Sequence, residues 1–118
     1  MLNIEAVQQV HLALGYIDMR KSINALSALV SGVFMLNPFS ESWFVFSNRQ
    51  RNKLKILRWD HNGFWLYYRR LERGRFCWPR IEERDTMSIS RRQLQWLLDG
   101  LSIDQIKAHR KVSARLIV

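Results

Sequence analysis

The chain has 118 residues and a mass of 14.2 kDa, enough for a single domain (1–118) around one hydrophobic core. Its 47% hydrophobic and 25% charged residues exclude a disordered chain, and its one cysteine excludes an internal disulfide and a multi-thiolate zinc centre. A formal charge of +9 and a pI near 10.6, with Arg supplying fourteen of the nineteen cations, point to a polyanionic partner.

Residues 7–14 read as a strand in which Val10, Leu12 and Leu14 alternate with Gln9, His11 and Ala13. Gly15 and Tyr16 end it. Asp18 then stands as the N-cap of a helix expected to run to about residue 34, with Met19, Ile23, Leu26, Val30 and Val33 on its apolar face. Gly32 weakens its last turn, and Asn37 with Pro38 stops it. Beyond Pro38 the hydrophobic period changes from 3.6 to 2. WFVFS (43–47) and LKILRWD (54–60) are strands separated by the polar loop SNRQRNK. Asn62-Gly63 is a strong hairpin signal, FWLYYRRL (64–71) returns, and RFCW (75–78) is expected as a fourth short strand before Pro79. Cys77, between Phe76 and Trp78, reads as a buried thiol. Ser90 with Gln93 fits a capping box for a helix that Gly100 closes, with Leu94, Leu97 and Leu98 as its apolar stripe. Ser102 with Gln105 repeats the pattern for a second helix, followed by a basic tail expected to fray after about residue 107. The fold class that follows is α+β: an antiparallel β-meander with an added N-terminal strand, one long packing helix and a short C-terminal helix pair.

Two absences bear on location. MLNIEAVQQV lacks the basic-then-apolar pattern of a secretory leader, and the longest apolar stretch, 25–36, is too short to span a bilayer. A cytoplasmic protein without a membrane partner is therefore expected.

DMRKSINAL (18–26) and the segment 37–79, with its Phe-Val-Phe-x-Asn-Arg, Leu-Lys-Ile-Leu-x-Trp-Asp, Arg-Leu-Glu-x-Gly-Arg-Phe and Trp-Pro blocks, carry a family likeness. In these residues the chain resembles the TnpB accessory proteins of the insertion-sequence sixty-six family, over about half its length from Asp18 to Pro79. The resemblance implies a bacterial mobile element in which a separate, larger transposase holds the strand-cutting site. It implies that the small protein assists transposition, and it supplies no catalytic residues.

The residues themselves agree with a non-catalytic role and call for no cofactor. Strand cutting needs carboxylates converging on divalent metals, whereas here Asp18 reads as a cap, Asp60 and Glu72 as turn residues, and Glu82, Glu83 and Asp85 as a solvated cluster beside Arg80 and Arg84. His11, His61 and His109 lack metal-ligand spacing. The sharpest feature is the alternation Arg49, Arg51, Lys53, Lys55, which in an extended segment projects cations to one side at intervals of about 7 Å, close to the phosphate repeat of one nucleic-acid strand. Asn48, Gln50 and Asn52 offer hydrogen bonds to bases or sugars. Arg20 and Lys21 form a second candidate site, because cations in the first turn of a helix are unfavourable without an external anion. Arg69, Arg70, Arg73 and Arg75 extend the basic face. Trp43, Trp59, Trp65, Tyr67, Tyr68 and Trp78 serve either as core or as stacking platforms for bases. The expected partners are thus DNA and the transposase of the same element. The rival readings are a module that docks on an acidic face of the transposase without touching DNA, and a small nuclease.

Overall fold

In a computed structural model, which describes residues 9–104, the elements follow in the order β1 (Val10–Ala13), α1 (Ile23–Gly32), β2 (Trp43–Ser47), β3 (Lys53–Asp60), β4 (Gly63–Arg70), β5 (Thr86–Ile89) and α2 (Arg91–Leu98). The class is α+β. The strands form one mixed sheet in the order β4-β3-β2-β1-β5. Successive strands β2, β3 and β4 pair antiparallel, β1 lies parallel to β2 with Val10 opposite Trp43, and β5 returns antiparallel to β1 with Ile89 opposite Val10.

A helix covers each face, and the side-chain alternation of the central strands follows from that. In β2 every residue is buried: Trp43 and Val45 face α2, whereas Phe44 and Phe46 face α1. The α1 side packs Leu26 and Val30 on Ala13, Phe44, Phe46 and Leu57. The α2 side packs Leu94, Leu97 and Leu98 on Val10, Leu12, Val45, Leu54 and Ile56. Each such fully buried Leu or Phe contributes roughly 1.5–3 kcal/mol.

Three expectations are corrected. The helix expected from Asp18 begins at Ile23 with Ser22 as its N-cap, because Asp18 Oδ1 instead accepts the Arg20 backbone N–H at 2.9 Å in a local turn. Helix α1 also ends at Gly32, leaving Val33 exposed rather than inward. The segment 75–78 forms no strand: the Phe76 N–H donates to the Arg51 carbonyl at 2.7 Å and the Trp78 N–H to the Phe76 carbonyl at 2.9 Å, which seats Phe76 in the α2-side core. The fifth strand is β5. Third, Cys77 is exposed, its Sγ 3.3 Å from the Gly100 carbonyl, because the buried side chain of that stretch is its neighbour Phe76.

Helix α2 opens on a complete Ser90–Gln93 capping box, and Gly100 follows it at φ 83°, a conformation that favours glycine. The second terminal helix and the basic tail fall outside the described residues, apart from the Ser102 hydroxyl accepting the Asp104 N–H at 3.2 Å. Among the described residues no helix is long and apolar enough to cross a membrane.

Candidate nucleic-acid interface

The loop between β2 and β3 is a tight, internally bonded turn. Asn48 Oδ1 accepts the backbone N–H groups of Asn52 and Lys53 at 3.1 and 3.0 Å, and its Nδ2 donates to Asn52 Oδ1 at 2.7 Å and Gln50 Oε1 at 3.2 Å. These amides therefore shape the loop. Arg51 sits at φ 60°, which breaks the simple alternation expected of an extended segment. Its guanidinium turns inward, donating to the Leu14 carbonyl at 2.9 Å and to the Ser47 hydroxyl, and it lies over the Trp78 ring. Burial lowers its pKa from the ordinary arginine value.

Lys55 is committed as well. Its Nζ donates to the carbonyls of Met19 and Lys21 at 2.6 and 2.9 Å, and its charge lies 5.9 Å from the centre of the Tyr68 ring. That contact fastens the turn preceding α1 to the sheet. The Ile17 N–H, donating to the Ser47 carbonyl at 2.9 Å, fixes the same turn from the other side. The segment after β4 is tied in by the Leu71 N–H on the Asn52 carbonyl at 2.8 Å and by the Phe76 N–H on Arg51.

These bonds gather segments 16–21, 48–55 and 69–76 at one end of the sheet. Within those segments the only carboxylates are Asp18 and Glu72. Asp18 is engaged by Arg20, whose Nη2 approaches to 2.6 Å, and that hydrogen bonding holds the carboxyl well below its usual range. Glu72 pairs with Arg70 at 2.9 Å. Lys21, Arg49, Arg69, Arg73 and Arg75 are exposed, with Arg49 over the Tyr16 ring at 5.9 Å. Lys53 is half-buried and directly opposite Arg70 across the β3–β4 ladder. Like charges facing each other on a sheet are destabilising unless an anion lies between them, and Glu72 is the one such group at hand.

Arg20 and Lys21 do not stand in the first helical turn, since α1 starts at Ile23. They precede a helix end where the Ser22 side chain makes no capping bond and the first turn holds no acidic residue. The partial positive charge of that end is thus uncompensated by acidic side chains of its own turn.

The aromatic residues divide between core and surface. Trp43 is buried, Trp78 donates its indole N–H to the Ala13 carbonyl at 2.8 Å, and Trp65 and Tyr68 are exposed. At the end of the sheet away from the basic loops, Phe39, Glu41, Trp43, Arg58, Trp59, Asp60 and His61 line an open groove of about 340 Å³. Arg58 spans it between the Trp43 ring and Asp60. Sequence reasoning missed this groove, although its walls flank the hairpin tip. Glu82 pairs with Arg84 at 2.9 Å, and His11 stacks on Phe44 at 5.3 Å. Among the described residues no group of three His, Cys, Asp or Glu side chains is placed to hold a metal ion.

Comparison with known proteins places this geometry in context. Residues 8–108 match the family described as IS66 Orf2-like protein. The uncharacterized protein y4hO of Sinorhizobium fredii (strain NBRC 101917 / NGR234) is 40% identical over 93 residues, covering 79% of this chain and 80% of that protein. The uncharacterized protein y4jC of the same strain is 29% identical over 91 residues, covering 77% of each. No solved structure matches the chain. With most of its length inside the family match, the chain belongs to the IS66 Orf2-like family of insertion-sequence accessory proteins.

Proposed function

We propose that this protein is a non-catalytic accessory protein of transposition, acting in the cytoplasm beside the transposase of its element, and that it holds DNA against the basic end of its sheet. The observation that carries this reading is the convergence of segments 16–21, 48–55 and 69–76, with cations in all three against two carboxylates of their own, Asp18 and Glu72, and Asp85 bordering Tyr16 and Lys21. Lys21, Arg49, Lys53, Arg69, Arg73 and Arg75 meet the phosphates. Arg51 and Lys55 hold the platform in shape, and Arg20 and Arg70 are shared with their carboxylates. The facing pair Lys53 and Arg70 supports the reading physically, because the single Glu72 carboxylate stands against two cations there and a phosphate would neutralise the remaining charge.

Titration of a short duplex against the full chain over a range of salt concentrations tests this. Binding should weaken with a log–log salt slope of roughly −4 to −5, as for about five neutralised phosphates. Absence of binding at ~50 mM salt would favour a basic face that docks on acidic protein surface instead. Magnesium- or manganese-dependent cleavage of DNA by the chain alone would overturn the non-catalytic assignment.

A further inference from the structure

We propose that β4 is the seam of a symmetric dimer, in which two copies of this chain pair their β4 edges antiparallel and join their sheets into one. Strand β4 is an end strand of the sheet and spans Gly63–Arg70. Its register with β3 runs unbroken from Lys53 opposite Arg70 to Asp60 opposite Gly63, with no bulge to twist the edge away. It contains no proline and no lysine, and it leaves Trp65 and Tyr68 about half exposed, at 49% and 53%. Long, regular, aromatic edges of this kind are open to pairing with another strand, and the protective charges of this one, Arg69 and Arg70, are confined to its last two positions. The opposite edge, β5, is half as long, at four residues.

The hydrogen bonds fix which residues of β4 offer their backbone outward. The Leu71 N–H donates to Asn52, so residue 71 and the odd-numbered residues before it turn their N–H and C=O groups toward β3. Those of Phe64, Leu66, Tyr68 and Arg70 therefore point to the open side. A twofold axis perpendicular to the sheet at Tyr67 pairs Leu66 with Tyr68 and Phe64 with Arg70 of the second copy, and each of these residues exchanges its backbone hydrogen bonds.

The order of side chains selects a second copy as the occupant. GFWLYYRR has aromatics at its start and arginines at its end, so the antiparallel register lays Arg69 opposite Trp65 and Arg70 opposite Phe64 of the partner. Cations then face aromatic rings, an attractive arrangement, and no arginine faces another. The two Arg70 residues are held apart by about 20 Å along the strands. Parallel pairing would stack arginine on arginine. The inference does not depend on DNA binding.

Sedimentation of the nuclease-treated full chain, at salt high enough to strip nucleic acid, should give twice the monomer mass. Trp65→Cys with Arg69→Cys, in a Cys77→Ser background, should form a covalent dimer on mild oxidation, because these positions face each other as close non-hydrogen-bonded neighbours across the seam. The two positions are about 13 Å apart within one strand, so they cannot close inside one chain. Either cysteine alone should give no such product. Tyr68→Pro removes an outward N–H without touching the β3 ladder and should yield a monomer that still melts cooperatively. A monomeric parent chain overturns the proposal, as does a dimer that dissolves on nuclease treatment. A dimer that fails to cross-link through the paired cysteines overturns the β4 seam, and that readout decides the matter should the proline variant not fold.

Discussion

The Arg51 guanidinium lies 5.3 Å from the centre of the Trp78 ring, and the two side chains brace neighbouring carbonyls at the end of β1, Arg51 holding Leu14 and Trp78 holding Ala13. A residue type that composition assigns to the surface thus closes the sheet. Arg51→Ala should lower stability by about 2–3 kcal/mol, the range for losing hydrogen bonds from a charged donor and leaving their acceptors unmet. Arg51→Lys should rescue little, since an ammonium cannot span these acceptors and stack on the ring together. Urea unfolding of both variants measures this. Wild-type stability in Arg51→Ala would remove its structural role.

Division of labour among the cations gives a second expectation. Replacing Arg49, Lys53, Arg73 and Arg75, which lie outside the β4 seam, by Ala should leave the thermal transition nearly unchanged and reduce the DNA-binding salt slope by up to about 0.9 per lost phosphate contact. Lys55→Ala should behave in the opposite way, loosening the turn at Met19 and Lys21 and lowering Tm first. Paired melts and titrations of the two variants separate these outcomes. A normal melt with an unchanged slope in the surface variant would put the phosphate contacts elsewhere.

His11 predicts a pH dependence. Burial lowers its pKa below the ordinary 6.5, so the unfolded chain takes up the proton more readily than the folded one. The resulting stability is fully present above about pH 6.5 and is lost as pH falls from there through the folded pKa. His11→Phe should abolish this part of the pH profile. Denaturant melts of both proteins from neutral to mildly acid pH provide the check, and parallel profiles would contradict it.

Core and cap positions should respond on different scales. Leu26 is fully buried between α1 and the sheet, and Leu26→Ala should cost roughly 2–5 kcal/mol through lost burial and the cavity left behind. Ser90→Ala removes only the side-chain half of the α2 capping box and should cost about 1 kcal/mol. Equal losses in calorimetry would mean that α2 depends on its cap far more than its packing indicates.

Legibility of the fold tracked how local each signal was. The α2 cap and the β3–β4 turn were readable because both are closed by residues three or fewer apart, although the turn centres on His61 (φ 58°) and Asn62, one residue earlier than the Asn62-Gly63 signal places it, and Gly63 already pairs with Asp60 in β4. Asp18 misled because a carboxylate that accepts the N–H two residues on looks, in sequence, like a helix cap. RFCW had strand composition, yet its backbone bonds go to Arg51 and to itself, a choice made by the distant β2–β3 loop. Strand β5 was overlooked although Met87 and Ile89 alternate with Thr86 and Ser88, because four residues are too few to stand out beside the charged run before them. The candidate site was legible as a list of cations but not as a surface. Which arginines face outward depends on the left-handed backbone at Arg51 and on carbonyls of Leu14, Met19 and Lys21, and nothing local to residues 48–55 encodes those contacts.

Strand β1 comes first in the described chain but lies inside the sheet, between β2 and β5. Next to it Gln9 meets Ser88, 79 residues further along the chain. A growing polypeptide can assemble the β2–β3–β4 hairpins as they leave the ribosome, whereas β1 keeps one edge unpaired until nearly all the described residues have been made. Topologies of this kind fold slowly, because distant segments must meet before their contacts stabilise anything. Any stop or frameshift before residue 86 therefore leaves a fragment with an open, apolar strand, suited to aggregation or proteolysis rather than to partial activity. For a gene carried by a mobile element, that topology leaves truncated copies without the strand that closes the open edge of β1.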